Sequence, residues 1–159
     1  MNIPQLVQKQ KEYFASHQTK EVAHRKKLLK NLLVEIQKRE KDIVNALHLD
    51  FKKSEYEAVM TETSIVISEL KRTIKNIKNW AKPQAVMPVF LNFPSSSKIY
   101  KEPYGTVLVI SPWNYPYQLA LVPVIGAIAA GNTVVLKPSE LTPHTSTITK
   151  EILEAVFPK

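Results

Sequence analysis

Residues 104–140 read YGTVLVISPWNYPYQLALVPVIGAIAAGNTVVLKPSE, and the rest of the chain is organised around them. The run Thr106-Val107-Leu108-Val109-Ile110 is apolar and β-branched, which suits an interior parallel strand buried on both faces. Ser111-Pro112 ends it, and Pro116 fits the first turn of a following helix. That helix, over 116–130, is apolar almost all round and needs cover on most sides. Gly131-Asn132 tolerates the left-handed backbone of a helix C-terminus. A second strand, Thr133-Val134-Val135-Leu136, follows at once. The pattern is strand, crossover helix, strand, right-handed by default. Ligands of such doubly wound sheets sit at the carboxyl ends of the strands. Two polar loops occupy that edge here, Ser111–Tyr115 and Lys137–Glu140.

Outward from this unit, residues 82–97 carry Pro83, Pro88 and Pro94 and read as an extended crossing segment with a Ser95-Ser96-Ser97 loop. Lys98–Glu102 alternates like an edge strand blunted by lysines. Before it lie helices. Residues 3–16 form a short one with Leu6, Val7, Tyr13 and Phe14 inward. Thr19 is placed to cap a second, with Glu21 in its first turn. Val22, Leu29, Leu33 and Ile36 give its inner face, and Ile43, Val44 and Leu47 continue after a bend. Ser54 and Glu57 have capping-box spacing for a long helix. Its stripe is Tyr56, Met60, Thr63, Ile67, Leu70, Ile74, Ile77 and Ala81, suited to packing along another helix. After the second strand, Thr142-Pro143 caps and starts a last helix with Ile148, Ile152 and Val156 inward. A third strand is expected where the sequence stops, at Phe157-Pro158-Lys159. The fold class is α/β, divided into a helical segment 1–85, a crossing segment 86–103 and a βαβα segment 104–159.

The 159 residues contain 44% hydrophobic and 23% charged residues, a globular balance. No unbroken apolar stretch is long enough to span a bilayer, and the N-terminus lacks a secretory pattern. There is no cysteine, so no disulfide framework, and a cytoplasmic location is expected. The net charge is +8, but residues 103–159 hold three basic and three acidic residues, so the whole excess lies on the helical part. A solvated helix face accounts for it, and no basic patch interleaved with aromatics points to nucleic acid. His17, His24, His48 and His144 lack metal-ligand spacing, and no metal site is expected.

SPWNYP, AAGN and VVLKPSE, in this order and spacing, resemble the opening part of an aldehyde dehydrogenase, most like the class-3 type. The resemblance covers essentially the whole chain. It implies the start of a doubly wound, Rossmann-like sheet preceded by helices, a truncated aldehyde dehydrogenase fold. It implies NAD(P)-dependent oxidation of a small-molecule aldehyde to a carboxylic acid through a cysteine thiohemiacetal. The family's oxyanion donor corresponds to Asn114; read from the residues alone, Asn114 is better taken as a helix cap. The family's Lys-x-x-Glu, which bonds the adenosine ribose of NAD or NADP, corresponds to Lys137 and Glu140; alternatively both are solvated loop charges. Ile110, Ser111, Pro112 and Trp113 correspond to the cofactor groove. Tyr115 corresponds to the mouth of the aldehyde tunnel, or is a core tyrosine. No G-x-G-x-x-G is present.

The resemblance also implies oligomer contacts through an extended hairpin like residues 86–103, and an assembly of identical subunits for the full-length form. The family's thiolate nucleophile and activating glutamate have no counterpart here, so the 159-residue chain alone is expected to be inactive. The alternative is a non-catalytic fragment that acts as an interaction partner of an intact dehydrogenase. A chain with this sheet unaccompanied should also expose an apolar patch and an open strand edge.

Overall fold

The computed structural model describes residues 2–157. Seven helices and four strands follow in order: α1 (Ile3–Ala15), α2 (Val22–Lys38), α3 (Glu40–Phe51), α4 (Glu55–Ala58), α5 (Ser64–Trp80), β1 (Gln84–Val86), β2 (Ser97–Ile99), β3 (Thr106–Ile110), α6 (Pro116–Ala130), β4 (Thr133–Lys137) and α7 (Pro143–Val156). β3 and β4 pair in parallel with Thr106 opposite Thr133 and Ile110 opposite Lys137, so both strands end level. The crossover α6 packs on both strands and against α2, α5 and α7. It begins with Pro116 at its first turn and ends on Gly131 at φ 97°. The all-round apolar helix therefore has the cover its sequence demands. One core joins the helical segment to the βαβα unit, with Leu29, Ile36, Leu47, Leu70, Leu121, Ile125 and Ile152 fully buried together.

The two faces of β3 differ, contrary to the expectation of burial on both. Val109 packs on the core, whereas Leu108 and Ile110 are 61% and 67% exposed. Side chains alternate across a strand; α1 covers the start of the outward face, where the Thr133 hydroxyl donates to the Gln10 carbonyl at 3.3 Å, and leaves Leu108 and Ile110 uncovered.

α4 and α5 are joined by a π-helical turn, Val59–Thr63. Such a turn admits an extra residue into the helix and shifts the phase of everything before it. Thr63, Leu70 and Ile77 face inward as the stripe requires, but Tyr56 and Met60 are 76% and 52% exposed. Ala58 and Glu62 take the inward places instead. Ser54 caps the helix by accepting from the Glu57 amide.

Other expectations shift by a residue or by a partner. Thr19 does not cap α2; it lies buried in a 3₁₀ turn, Gln18–Lys20, and Glu21 holds the cap position. In α2 the fully turned-in residues are Arg25, Leu29, Leu32 and Ile36, with Val22 and Leu33 partly covered. In α1, Leu6, Val7, Tyr13 and Phe14 are half-buried. In α7, Ile148 and Ile152 are buried and Val156 half-buried. The crossing segment is a short antiparallel hairpin, β1 with β2, and its second strand is Ser97–Ile99 rather than 98–102. Residues 158–159, where a third strand was expected to begin, lie outside the described set.

The C-terminus of α6 is closed by the helical layer. The Arg25 guanidinium donates to the Ala129 carbonyl at 2.6 Å and to the Lys20 carbonyl at 2.9 Å. A Cβ added at Gly131 would meet the Thr19 carbonyl at 3.2 Å and Arg25 Nη1 at 3.5 Å, on a backbone that side chains rarely adopt. Gly131→Ala is expected to lower stability by about 1–3 kcal/mol, from left-handed strain and displacement of Arg25. Urea unfolding with an unchanged m value and a lower midpoint would show it; an unchanged midpoint would refute it.

Candidate active site at the strand ends

The loop from Ser111 to Tyr115 leaves the end of β3, and Lys137–Glu140 leaves the end of β4. The Ser111 amide donates to the Lys137 carbonyl at 3.1 Å, so the ladder continues one step into the first loop. The sheet thus brings Ile110 and Ser111 beside Lys137. Lys137 Nζ lies 2.6 Å from Glu140 Oε1, both side chains exposed at this edge. The hydrogen bond from Lys137 holds the Glu140 carboxyl below the usual carboxylate range. The pair therefore stays ionised to lower pH than an isolated glutamate, and is lost only as pH falls through that depressed value. Ser111 is buried, and its hydroxyl has no hydrogen-bond partner among the described residues. Pro112 is exposed.

Trp113 stacks on Phe51 at the end of α3, with ring centroids 6.5 Å apart and planes at 27°. Tyr115 occupies the cap position of α6, yet its side chain makes no capping bond. Its ring instead receives the Lys53 ammonium at 4.4 Å from the centroid. Tyr115 is 39% exposed, so it is not a buried core tyrosine; that place belongs to Tyr117, whose phenol burial pushes well above its ordinary pKa.

Asn114, between the two held rings, is exposed. It does not cap α6, and none of the hydrogen bonds among the described residues uses its amide. The cap comes from elsewhere. Glu62, fully buried in the π-helical turn, accepts from the Tyr117 and Gln118 amides at 2.8 and 3.1 Å. Its other oxygen pairs with Lys53, itself almost wholly buried. A carboxylate at a helix N-terminus satisfies free backbone donors and complements the dipole. Asp50 does the same for α7, bonding the Thr145 amide at 2.8 Å and its hydroxyl at 2.7 Å. The Thr142 hydroxyl, expected to cap α7, donates to Ser139 O instead. Both helices that leave the site loops are thus fixed by carboxylates from the helical segment.

Lys53, Glu62, Asp50 and Phe51 were not singled out in the sequence. A buried carboxylate has no period of its own, and the helix amides that Glu62 caps lie 55 and 56 residues away. The one available signal was Glu62 next to the inward Thr63, in a helix whose early stripe was weakly apolar. Among the described residues no three potential metal ligands cluster, and no helix is long and apolar enough to cross a membrane.

The model of the aldehyde dehydrogenase family matches residues 1–159. The chain belongs to the aldehyde dehydrogenase family. It is 47% identical over 148 residues to the 4,4'-diaponeurosporen-aldehyde dehydrogenase of Staphylococcus aureus, covering 92% of this chain and 32% of that protein. It is 46% identical to the chloroplastic family 3 member I1 of Arabidopsis thaliana, over 90% of this chain and 26% of that protein. The solved substrate-bound Staphylococcus aureus AldH superposes with a TM-score of 0.96 at 46% identity, over 99% of this chain and 34% of that one. Betaine aldehyde dehydrogenase of Staphylococcus aureus, solved with NAD+, matches at TM-score 0.82 and 28% identity, over 94% of this chain and 30% of that one. This aldehyde dehydrogenase chain spans about a quarter to a third of the length of each. Its helices and short parallel sheet are the N-terminal part of that fold.

Proposed function

We propose that residues 1–159 supply the oxyanion donor and the adenosine-ribose contacts of an NAD(P)-dependent aldehyde dehydrogenase. The observation that carries the reading is the Asn114 amide, free of any internal bond on the loop that leaves β3, together with a pre-paired Lys137–Glu140 on the loop that leaves β4 at the same sheet edge. A neutral donor on a fixed loop stabilises negative charge as it develops on the aldehyde oxygen when a thiolate attacks the carbon. The Glu140 carboxylate suits accepting from a ribose hydroxyl, and the Lys137 ammonium suits donating to one. In this reading Ile110 to Trp113 line the groove for the cofactor, and Tyr115 borders the aldehyde's approach. The cofactor, NAD or NADP, supplies the hydride acceptor.

This chain contains no cysteine. Its part in the reaction is to bind, orient and stabilise, with the nucleophile contributed from outside these 159 residues. Titration of the chain with NAD and with NADP, followed by amide NMR shifts, is expected to perturb Ile110, Ser111 and Trp113 together with Lys137, Ser139 and Glu140. Glu140→Ala should weaken that binding about tenfold by removing the ribose acceptor, a loss of the size of one charged hydrogen bond. Shifts spread evenly over the chain, or indifferent to Glu140, would refute the assignment.

A second reading rests on the β1–β2 hairpin, where Phe90 and Leu91 are 89% and 90% exposed. Apolar exposure of this kind suits contact with another subunit, and the arm then serves assembly of identical chains or docking on an intact dehydrogenase. Sedimentation of the wild-type chain and of a Phe90→Ser, Leu91→Ser variant separates the cases. Loss of self-association in the variant supports the arm, and unchanged sedimentation refutes it.

A further inference from the structure

Asn114 is held from both sides by one short stretch of the helical segment. Phe51, the last residue of α3, stacks on Trp113 immediately before it. Lys53, two residues on, places its ammonium on the ring of Tyr115 immediately after it, and 5.5 Å from the Phe51 centroid as well. Lys53 is in turn fixed by Glu62, and Glu62 by the first amides of α6, the helix that Asn114 leads into. His48 Nδ1 lies 3.1 Å from the Lys53 carbonyl and ties the same turn to α3. The connection runs without a break from the buried carboxylate to both neighbours of Asn114, while the Asn114 amide itself is left uncommitted.

We propose that Phe51, Lys53 and Glu62 form a clamp that positions the Asn114 amide for the oxyanion. The inference rests on the reading of Asn114 given above. Lys53 and Glu62 are positioning residues, since neither reaches the reacting atoms. The chemistry explains why a charged pair sits where an apolar pair would pack at lower cost. The ammonium serves three groups at once, one carboxylate and two aromatic faces, and an aliphatic side chain could direct none of them. An oxyanion donor must be fixed before charge develops, because reorganisation at that moment subtracts from its effect. A misplacement of about 1 Å in such a group can cost on the order of 100-fold in rate.

The test reads order at Asn114, not turnover. In the ¹⁵N-labelled chain, the Asn114 side-chain amide and the Trp113 indole N–H are followed by heteronuclear relaxation. Lys53→Met is expected to loosen both, with order parameters falling from those of rigid structure toward those of a flexible loop. Lys53→Arg, which can keep the pair and the ring contact, is expected to restore them. Phe51→Leu keeps bulk but not stacking and should loosen Trp113 first; it carries the test should Lys53→Met fail to fold. Asp50→Asn, which weakens the cap of α7 and touches neither ring, should leave both signals as in the wild type. Unchanged order in Lys53→Met and Phe51→Leu would overturn the clamp. So would equal loosening in Asp50→Asn, because the effect would then be general softening. Since no turnover enters, failure here leaves the oxyanion reading standing, and failure of that reading appears only in rates.

Discussion

Glu62→Ala is expected to lower the stability of the chain by about 3–5 kcal/mol, the cost of stranding a buried charge. The carboxylate is fully buried and serves two first-turn amides of α6 together with Lys53. Its removal leaves an ammonium almost wholly inside the protein with only two aromatic faces for company. It also leaves two helix N–H groups without their acceptor. A domain of this size is stable by about 5–15 kcal/mol, so the substitution consumes a large share of the total. Glu62→Gln keeps an acceptor for the amides and loses only the ion pair, and should cost less. The joint substitution Glu62→Leu, Lys53→Met removes both charges and is expected to recover much of the loss, as apolar replacement of a buried pair generally does. Denaturant midpoints of the four proteins check the series. Equal stability of Glu62→Ala and wild type would show that water reaches Lys53 and that the pair is not part of the fold.

Asn114→Ala is expected to lower aldehyde turnover about 100- to 1,000-fold, the usual loss of one oxyanion donor. The protein for this measurement is a chimera in which residues 1–159 replace the matched stretch of the Staphylococcus aureus relative. Because the amide has no internal partner, the substitution removes no structural bond, and stability should be nearly unchanged. The rate should fall with little change in the affinity for cofactor, since the interaction strengthens only as charge develops. An equal fall in cofactor affinity would instead place Asn114 in the groove.

The parts of this molecule that could be read from the sequence are those set by neighbours along the chain. β3, α6 and β4 follow from a β-branched run, a first-turn proline and a glycine forced to φ 97°, all within 32 residues. The loop positions of Asn114, Lys137 and Glu140 were legible because those strands dictate where the loops lie, whereas the roles proposed for them rest on the family resemblance. The supporting layer was not. Arg25 at the C-terminus of α6, Glu62 at its N-terminus and Asp50 at the N-terminus of α7 act over 55 to 104 residues of sequence. A charged residue on an amphipathic helix carries the same letter whether it faces water or caps a distant helix. The π-helical turn hid Glu62 further, because a period of 3.6 carried back from Thr63 points to Tyr56 and Met60. The exposed face of β3 misled for a related reason: an apolar run fits a strand covered on both faces, whereas this chain lays its core on one.

Turnover of the chimera, followed as reduced nicotinamide formed from an aldehyde and NAD(P)+, tests the central assignment most directly. Active chimera with Asn114 and a 100- to 1,000-fold loss with Asn114→Ala is the result expected if these 159 residues carry the oxyanion donor. An active chimera whose rate ignores Asn114 would contradict it.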